Sequence, residues 1–580
     1  MGATTGHIDP VTLETVRHGL ESLADEMALT VMRTAYSGIV KDALDYSTGF
    51  CDRKGQVVAQ GLTIVLHLGS FPDAVESILT GYPGDIAPGD VFIQNDPYRS
   101  GATHLPDIYI IKPVFVQGEL EGFSCVTAHH TDVGGIVPGS NSTNSVEIYQ
   151  EGLRIPTLKL YDAGKPNETL FRMIETNVRV PDKVLGDIRA EIAAAATGEA
   201  RFLELAERHG VDTLRTYTEA LQDYAERLAK EEIRDLPDGD YEFTSYIDAD
   251  NIDGGPVVIH VKITVADDEL TVDLTGSSPR VAAGINSPIP STRSACYGAV
   301  RQVMDPDIPN CSGYMQCIRV IAPEDSVVYA HTPAACGARG ITTFRIMDAI
   351  WGALAQAVPD AIPADGEGGN TIIAIGGYDS THGPFAFVDL FAGARGGRPF
   401  GDGPDGVPHP GSNNSNSPVE LAEVEYPVRI ESYELLRDSG GAGKNRGGLS
   451  HVREVRCLAD EGTLQLRSDK RAFLPYGLHG GNPGSPSTNV LNPGSDDRML
   501  PTMGTAPMIR GDLIRHVMAS GGGWGDPLDR DPERVAVDVR DDKVSPAGAK
   551  SDYGVVLDSK SLEVDWEATK QTRRERRQPH

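Results

Sequence analysis

The order of helical and strand-like segments most constrains the fold of this 580-residue chain. Apolar residues recur every three or four positions over residues 10–36, 183–234 and 343–357, which predicts amphipathic helices with a break at Gly210. Elsewhere, short apolar runs cut by Gly, Pro and Asp predict strands. Helices and strands come in separate runs, without strict β-α alternation. We therefore expect an α+β fold, a large multi-lobed subunit that is neither doubly wound nor a TIM barrel.

Changes in residue composition and apolar periodicity predict five regions along the chain. They are 1–180, an N-terminal helix and a β region with a candidate metal site; 181–240, a helical block; 241–365, an α+β lobe; 366–530, a lobe of Gly/Asn-rich loops and strands; and 531–580, short helices and a basic tail. Within the fourth region, residues 366–417 show little periodicity and are interpreted as loops.

The densest group of candidate ligands flanks one predicted hairpin. Thr103-His104-Leu-Pro-Asp107 precedes a strand-like run, 108–116, and Ala128-His129-His130-Thr-Asp132 follows a second run, 119–128. If the two runs pair around Gln117-Gly118, residues whose numbers sum to about 235 face each other. Asp107 then lies opposite Ala128, and His104 lies opposite Thr131. Both groups of ligands meet at one end of the hairpin.

Two imidazoles with one or two carboxylates suit Zn, Mn or Fe(II), and leave a position open for water. Such an ion acidifies bound water and polarises a carbonyl group. His104 and Asp107 have opposite strand parity, so they converge only if the chain bends at Pro106. The spacing does not decide whether His129 or His130 is the ligand; the other would support it or act as a general base. The alternative is a set of hydrogen-bonded loop residues at a strand end.

Charge and composition exclude several classes of partner and location. The 52 basic and 83 acidic residues give 52 − 83 = −31, which argues against nucleic acid or an anionic membrane as the main partner. No apolar run of 18 residues predicts a membrane span. Residues 1–9 lack the basic start and apolar core of a secretory signal, and the seven cysteines form no C-x-x-C pair. We therefore expect a reducing, cytoplasmic setting.

Many ordered phrases carry a resemblance to one family. They include Met32-Arg-Thr-Ala-Tyr36, His67-Leu-Gly-Ser-Phe-Pro-Asp73, Gly89-Asp-Val-Phe-Ile-Gln-Asn-Asp-Pro-Tyr98, Thr103-His-Leu-Pro-Asp107, Ala128-His-His-Thr-Asp-Val-Gly-Gly135, Gln150-Glu-Gly-Leu-Arg-Ile-Pro156 and Gly521-Gly-Gly-Trp-Gly-Asp-Pro527. With these phrases the sequence resembles the hydantoinase B/oxoprolinase family, which holds N-methylhydantoinase and caprolactamase β-type subunits. The resemblance runs from about residue 9 to residue 556.

The resemblance implies an ATP-dependent hydrolase of cyclic amides such as hydantoins, 5-oxoproline or lactams. A hydantoinase A-type partner would use ATP to phosphorylate the amide oxygen, in a hetero-oligomer of the α2β2 type. This chain would then hydrolyse the activated intermediate at one divalent metal, with zinc favoured over manganese or iron. The family's ligands map onto Asp45, His104, Asp107 and His129. Our hypothesis adds His130 or Asp132 as the proton relay.

The sequence departs from the family pattern at one position, and two alternative functions stay open. Many relatives read K-E-x-x-D before the strand, whereas here Asp42 replaces Glu, which leaves the role of position 42 open. The first alternative is a subunit of an ATP-dependent carboxylase of acetophenone-type ketones. The second is a scaffold subunit without a metal, which supports an ATPase partner.

Overall fold

The structure is a computed structural model that describes residues 8–61, 64–248, 255–369 and 371–577. Residues 1–7, which make up most of the N-terminal segment that lacks the pattern of a secretory signal, lie outside the described residues. The helices are α1 Pro10–Thr34, α2 Gly38–Lys41, α3 Val65–Leu68, α4 Phe71–Gly81, α5 Glu168–Asn177, α6 Pro181–His209, α7 Val211–Arg234, α8 Ile289–Arg301, α9 Ser312–Met315, α10 Gly340–Ala357, α11 Val419–Glu425, α12 Pro532–Arg540, α13 Pro546–Tyr553 and α14 Trp566–Arg576.

The strands form four sheets, and strands named in succession within a sheet are neighbours in space. The first is β2 Val57–Gln60, β1 Tyr46–Asp52, β5 Glu119–His129, β4 Asp107–Val116, β3 Val91–Gln94, β6 Leu158–Asp162 and β7 Lys165–Pro166. The second is β11 Ile318–Ile321, β10 Glu269–Asp273, β9 Val257–Ala266 and β8 Gly239–Ile247. The third is β13 Gly383–Phe391, β12 Thr371–Asp379, β16 Glu461–Arg467 and β19 Met503–Ile509. The fourth is β14 Val428–Leu435, β15 His451–Cys457, β20 Leu513–Val517, β17 Thr488–Leu491 and β18 Arg498–Met499.

The predicted α+β class is confirmed, since helices and four separate sheets coexist and no sheet closes into a barrel within the described ranges. The long N-terminal helix starts after Asp9, whose carboxylate accepts a hydrogen bond from the Thr12 amide at 3.0 Å. Gly210, with φ of 80°, separates α6 from α7 as the sequence predicts. The proposed division into five regions stays a prediction.

The first hydrophobic core fixes the sheet that carries the candidate ligands. Apolar side chains of α1 and α6 pack together over the first sheet, where Met27, Ile110, Val126 and Ile188 are buried. Burial of such side chains stabilises a fold by about 1.5–3 kcal/mol each. The end of β4 and β5 therefore rests on a rigid layer.

One expectation about loops was wrong. Residues 371–379 and 383–391, interpreted as loop, form the paired strands β12 and β13. Their apolar residues are buried in the third sheet, and that packing outweighs the surrounding glycines. The basic C-terminal end belongs to α14 up to Arg576, and it is largely exposed. Arg573 and Arg577 donate hydrogen bonds to the carbonyls of Arg530 and Leu528 at 2.7 and 3.1 Å. Among the described helices, none has the length and apolar character needed to cross a membrane.

Candidate metal centre

The predicted hairpin forms, with a register that differs by one residue at its open end. Strands β4 and β5 pair antiparallel, but Glu121 is an extra residue in β5, so the pairing shifts after the turn. Asp107 consequently faces His129, and the predicted pairing with Ala128 was wrong. The cause is a β-bulge, which inserts one residue into one strand. Directly opposed residues project to the same face, so the bulge places Asp107 and His129 together.

A tight turn brings His104 to the same point. The Asp107 amide donates to the His104 carbonyl at 3.1 Å, which bends the chain around Pro106 as the strand parity requires. Ligand atoms of His104, Asp107 and His129, hereafter the ligand trio, lie within 4.8 Å of one another. All three side chains are buried.

The donor atoms of the ligand trio fit a cation. His104 Nδ1 lies 2.8 Å from the Gly337 carbonyl, so it carries the proton there and leaves the Nε2 lone pair facing inward. That Nε2 lies 3.1 Å from Asp107 Oδ1, and neither atom has a hydrogen-bond partner among the described residues. His129 Nδ1 also has no hydrogen-bond partner within that part of the chain, whereas its Nε2 lies 3.3 Å from the amide nitrogen of Asn141. The two acceptors that face each other are therefore His104 Nε2 and Asp107 Oδ1. Buried acceptors aimed at one another repel unless a positive ion lies between them.

The protonation states favour the same interpretation. Burial, reinforced by the charge of Arg339, lowers the pKa of His104 to about 4. Burial and the neighbouring His104 hold the pKa of His129 well below its usual value. Burial opposes ionisation of Asp107, but His104, His67 and Arg339 outweigh it and hold the pKa of that carboxyl well below its ordinary value. At neutral pH the ligand trio is two neutral imidazoles and one carboxylate, the forms that bind metals.

Asp45 lines the same cavity but lies outside the most compact group of ligand atoms. It directly precedes β1, and its carbonyl accepts a hydrogen bond from the His129 amide at 2.9 Å. Burial raises the pKa of Asp45 to about 6. Asp42 follows α2 and does not line this cavity.

His130 and Asp132, the predicted proton relay, are engaged elsewhere and do not line the cavity. His130 Nε2 lies 2.9 Å from Glu191 Oε2 on α6. The Asp132 carboxylate accepts bonds from the Gly134 and Gly139 amides, at 2.9 and 3.1 Å, and from Arg179 Nη1 at 2.9 Å. These contacts hold the end of the hairpin, and the relay role of the two residues stays a prediction.

Comparisons with known proteins decide the family. The family model of hydantoinase B/oxoprolinase matches residues 9–527. The chain belongs to the hydantoinase B/oxoprolinase family. It is 34% identical to the B subunit of a putative D-/L-hydantoinase from a Pseudomonas strain, over 98% of both chains. It is 33% identical to the beta subunit of the caprolactamase of Pseudomonas jessenii, over 95% of this chain and 97% of that one.

Solved structures agree with this family fold. The chain superposes on the crystal structure of the ATP-dependent caprolactamase from Pseudomonas jessenii with a TM-score of 0.91, at 31% identity, over 98% of this chain and 100% of that one. An acetone carboxylase chain gives a TM-score of 0.90 at 19% identity, over 98% of this chain and 83% of that one, which shows a shared fold alone.

Three further residues line the cavity, and local patterns in the sequence do not predict them: His67, Arg339 and Arg467. His67 belongs to one of the phrases that carry the resemblance, and its Nε2 lies 3.4 Å from Asp107 Oδ2. Arg339 Nη2 donates to that same oxygen at 2.5 Å. The two arginines are more than 200 positions from the hairpin, so no local spacing points to them.

A buried carboxylate orients the segment that supports His104 and Arg339. Glu151 accepts hydrogen bonds from the Cys336 and Gly337 amides at 3.0 and 2.6 Å. Burial raises its pKa to about 8. The Gly337 carbonyl that Glu151 helps to place is the one that fixes the His104 tautomer, so Glu151 acts on the ligand trio through the backbone.

Proposed function

We propose that this hydantoinase B family chain is the catalytic, metal-dependent component of an ATP-dependent cyclic-amide hydrolase. The observation that carries the proposal is the buried ligand trio, in which His104 Nε2 and Asp107 Oδ1 face each other without a hydrogen-bond partner among the described residues. The names of its relatives, components of a hydantoinase and of a caprolactamase, support a hydantoin, 5-oxoproline or lactam as the substrate.

The ligand trio and Asp45 would together hold one divalent transition ion, with zinc favoured over manganese or iron because two of the ligands are imidazoles. When bound, such an ion supplies an acidified water, the nucleophile for the activated amide carbon. Arg339 holds Asp107 in place through one carboxylate oxygen, Oδ2, and leaves the other, Oδ1, facing His104.

The remaining imidazole of the cavity is the proposed proton acceptor. His67 lines the cavity, and its Nδ1 lies 3.0 Å from Ser47 Oγ, which orients the ring. A general base must reach the attacking water, and of these three residues His67 lines the cavity whereas His130 and Asp132 do not. In this proposal, His130 and Asp132 keep the hairpin end in shape.

ATP would be consumed at a hydantoinase A-type partner, which phosphorylates the amide oxygen before this chain opens the ring. The relatives named as B and beta components of their enzymes support an assembly of two kinds of chain, which we propose to be of the α2β2 type.

The test is ring opening by the chain purified together with its A-type partner, on a hydantoin, on 5-oxoproline and on a lactam. We expect ATP-dependent ring opening of at least one substrate, and its loss in the His104→Ala variant together with the metal. His18→Ala, a change on the exposed face of α1, is the matched control and keeps both. Full turnover and metal in His104→Ala would contradict the site assignment.

The same preparation tests the carboxylase alternative. ATP turnover that depends on bicarbonate in the presence of a ketone, without ring opening of any cyclic amide, would replace the hydrolase by a carboxylase.

A further inference from the structure

Two buried arginines line the cavity of the ligand trio. Arg339 precedes α10 and Arg467 ends β16; they are 5% and 4% exposed. A guanidinium removed from water requires compensation by opposite charge or by strong hydrogen-bond acceptors. The two guanidinium groups bring two positive charges into the cavity.

Hydrogen bonds connect both arginines to the ligand trio. Arg339 uses Nη2 on Asp107, while its Nε has no hydrogen-bond partner among the described residues. Arg467 Nη1 donates to the Asn141 side-chain oxygen at 3.1 Å. The amide nitrogen of Asn141 in turn lies 3.3 Å from His129 Nε2, which links Arg467 to the ligand trio.

The net charge of the residues that line the cavity indicates a function for the two arginines. Two carboxylates, Asp45 and Asp107, are balanced by two guanidiniums, Arg339 and Arg467. A site that only had to hold a divalent cation would be weakened by two neighbouring cations, because like charges repel. With a divalent ion bound, the cavity has two positive charges in excess, which matches an incoming dianion.

We propose that Arg467, together with Arg339, binds the phosphoryl group of the substrate, so that the cavity recognises a phosphorylated amide rather than the neutral ring. This inference rests on the proposed function. Guanidinium groups bind phosphate oxygens through paired, charge-assisted hydrogen bonds. Asn414 and Ser412 line the same cavity and add neutral polar groups. A phosphate monoester has the charge of about −2 that the loaded cavity lacks.

The experiment measures binding of inorganic phosphate to the zinc-loaded full chain by titration calorimetry, for the unchanged protein, Arg467→Gln and Arg467→Lys. We expect phosphate to bind the unchanged chain, and to bind Arg467→Gln roughly ten- to hundredfold more weakly, since a hydrogen bond to a charged group is lost. Arg467→Lys keeps the charge and should fall between them. Arg510→Gln, an exposed arginine paired with Asp460, is the control and binds phosphate like the unchanged chain.

The outcomes separate the two proposals. A chain that binds no zinc overturns the proposed function and this inference with it. If the unchanged chain binds zinc, and Arg467→Gln binds phosphate as tightly as the unchanged chain does, this inference alone is overturned. Acetate binding as tightly as phosphate would also overturn it, since the site would then recognise a carboxylate monoanion. If Arg467→Gln does not fold, Arg467→Lys replaces it in the test. Unchanged phosphate affinity and unchanged zinc content in Arg467→Lys would then overturn this inference.

Discussion

Two of the buried polar clusters in the described part of the molecule satisfy their charges in opposite ways. The ligand trio has acceptor atoms that face one another and find no partner among the described residues. A second group, the ion-pair cluster, is likewise buried, and its charged side chains have opposite charges beside them. Its members are Arg345, Asp348, Asp365, His409, Asp469 and Lys470.

The pairing within the ion-pair cluster is internal. Arg345 bridges Asp348 and Asp469, with both distances 2.6 Å, and Lys470 contacts Asp365. His409 Nε2 adds a contact of 3.1 Å to Asp348. Such a cluster joins α10 to the segment after β16 and needs no added ion. Buried charge alone therefore does not mark a functional site; two buried acceptors that face each other with no donor or cation between them do.

The largest expected effect concerns the ion-pair cluster. Asp348→Ala should lower the free energy of unfolding by about 3–5 kcal/mol, because it leaves Arg345 with one carboxylate fewer in a buried site. Zinc bound per folded chain should not change. Urea unfolding and metal analysis measure the two quantities. Asp460→Ala removes an exposed pair with Arg510 and should cost no more than about 1 kcal/mol. Equal effects of the two variants would remove the structural role assigned to Asp348.

The ligand trio should show the reverse behaviour. Zinc at a hundred times its Kd should stabilise the unchanged chain by about 2.7 kcal/mol, since it binds only the folded state. His104→Ala should abolish this increment and change the stability of the metal-free chain far less than Asp348→Ala does. Thermal unfolding with and without zinc measures both. The control is His382→Ala, a half-exposed histidine that should keep the full increment. A zinc increment that survives in His104→Ala contradicts the site.

The third expected effect is a pH dependence beside the ion-pair cluster. Burial, with Asp348 contributing, raises the pKa of Glu367 to about 7 from an ordinary 4.5. The folded state then holds the proton more tightly, so this stabilisation is complete below pH 4.5 and is lost as the pH rises through about 7. The slope is at most about 1.4 kcal/mol per pH unit. Urea midpoints between pH 4.5 and 8 should show it in the unchanged chain.

Glu367→Gln is the variant that isolates this group. Its amide does not titrate, so the difference in unfolding free energy between it and the unchanged chain should vary over that pH range. A difference that stays constant would show that Glu367 is ionised throughout in the folded state.

Local patterns in the sequence predict much of the fold and half of the site. The long helices α1, α6 and α7 follow from apolar periodicity, and the hairpin β4–β5 follows from two apolar runs around Gln117-Gly118. His104, Asp107 and His129 flank that hairpin, so short-range pairing suffices to bring them together. Asp45 came only from the resemblance to the family, and the structure places it on the cavity wall.

The rest depends on contacts between distant parts of the chain. The bulge at Glu121 sets the register of Asp107, and Glu121 accepts a hydrogen bond from Arg215 of α7, whose Nε lies 2.7 Å from Oε2. Arg339 and Arg467 reach the cavity from α10 and β16 through tertiary packing. The strands β12 and β13 are stabilised by burial in the third sheet. The other strands of that sheet, β16 and β19, lie far along the chain, so a short window of the sequence does not include them.

The most direct test of the central claim is elemental analysis of the purified chain, beside the variants His129→Ala and His130→Ala. We expect about one divalent transition ion per chain. It should be lost in His129→Ala and kept in any His130→Ala that folds, because His130 faces Glu191 and not the cavity. A chain without bound metal under zinc-replete conditions, or a variant His129→Ala with undiminished metal, would contradict the account.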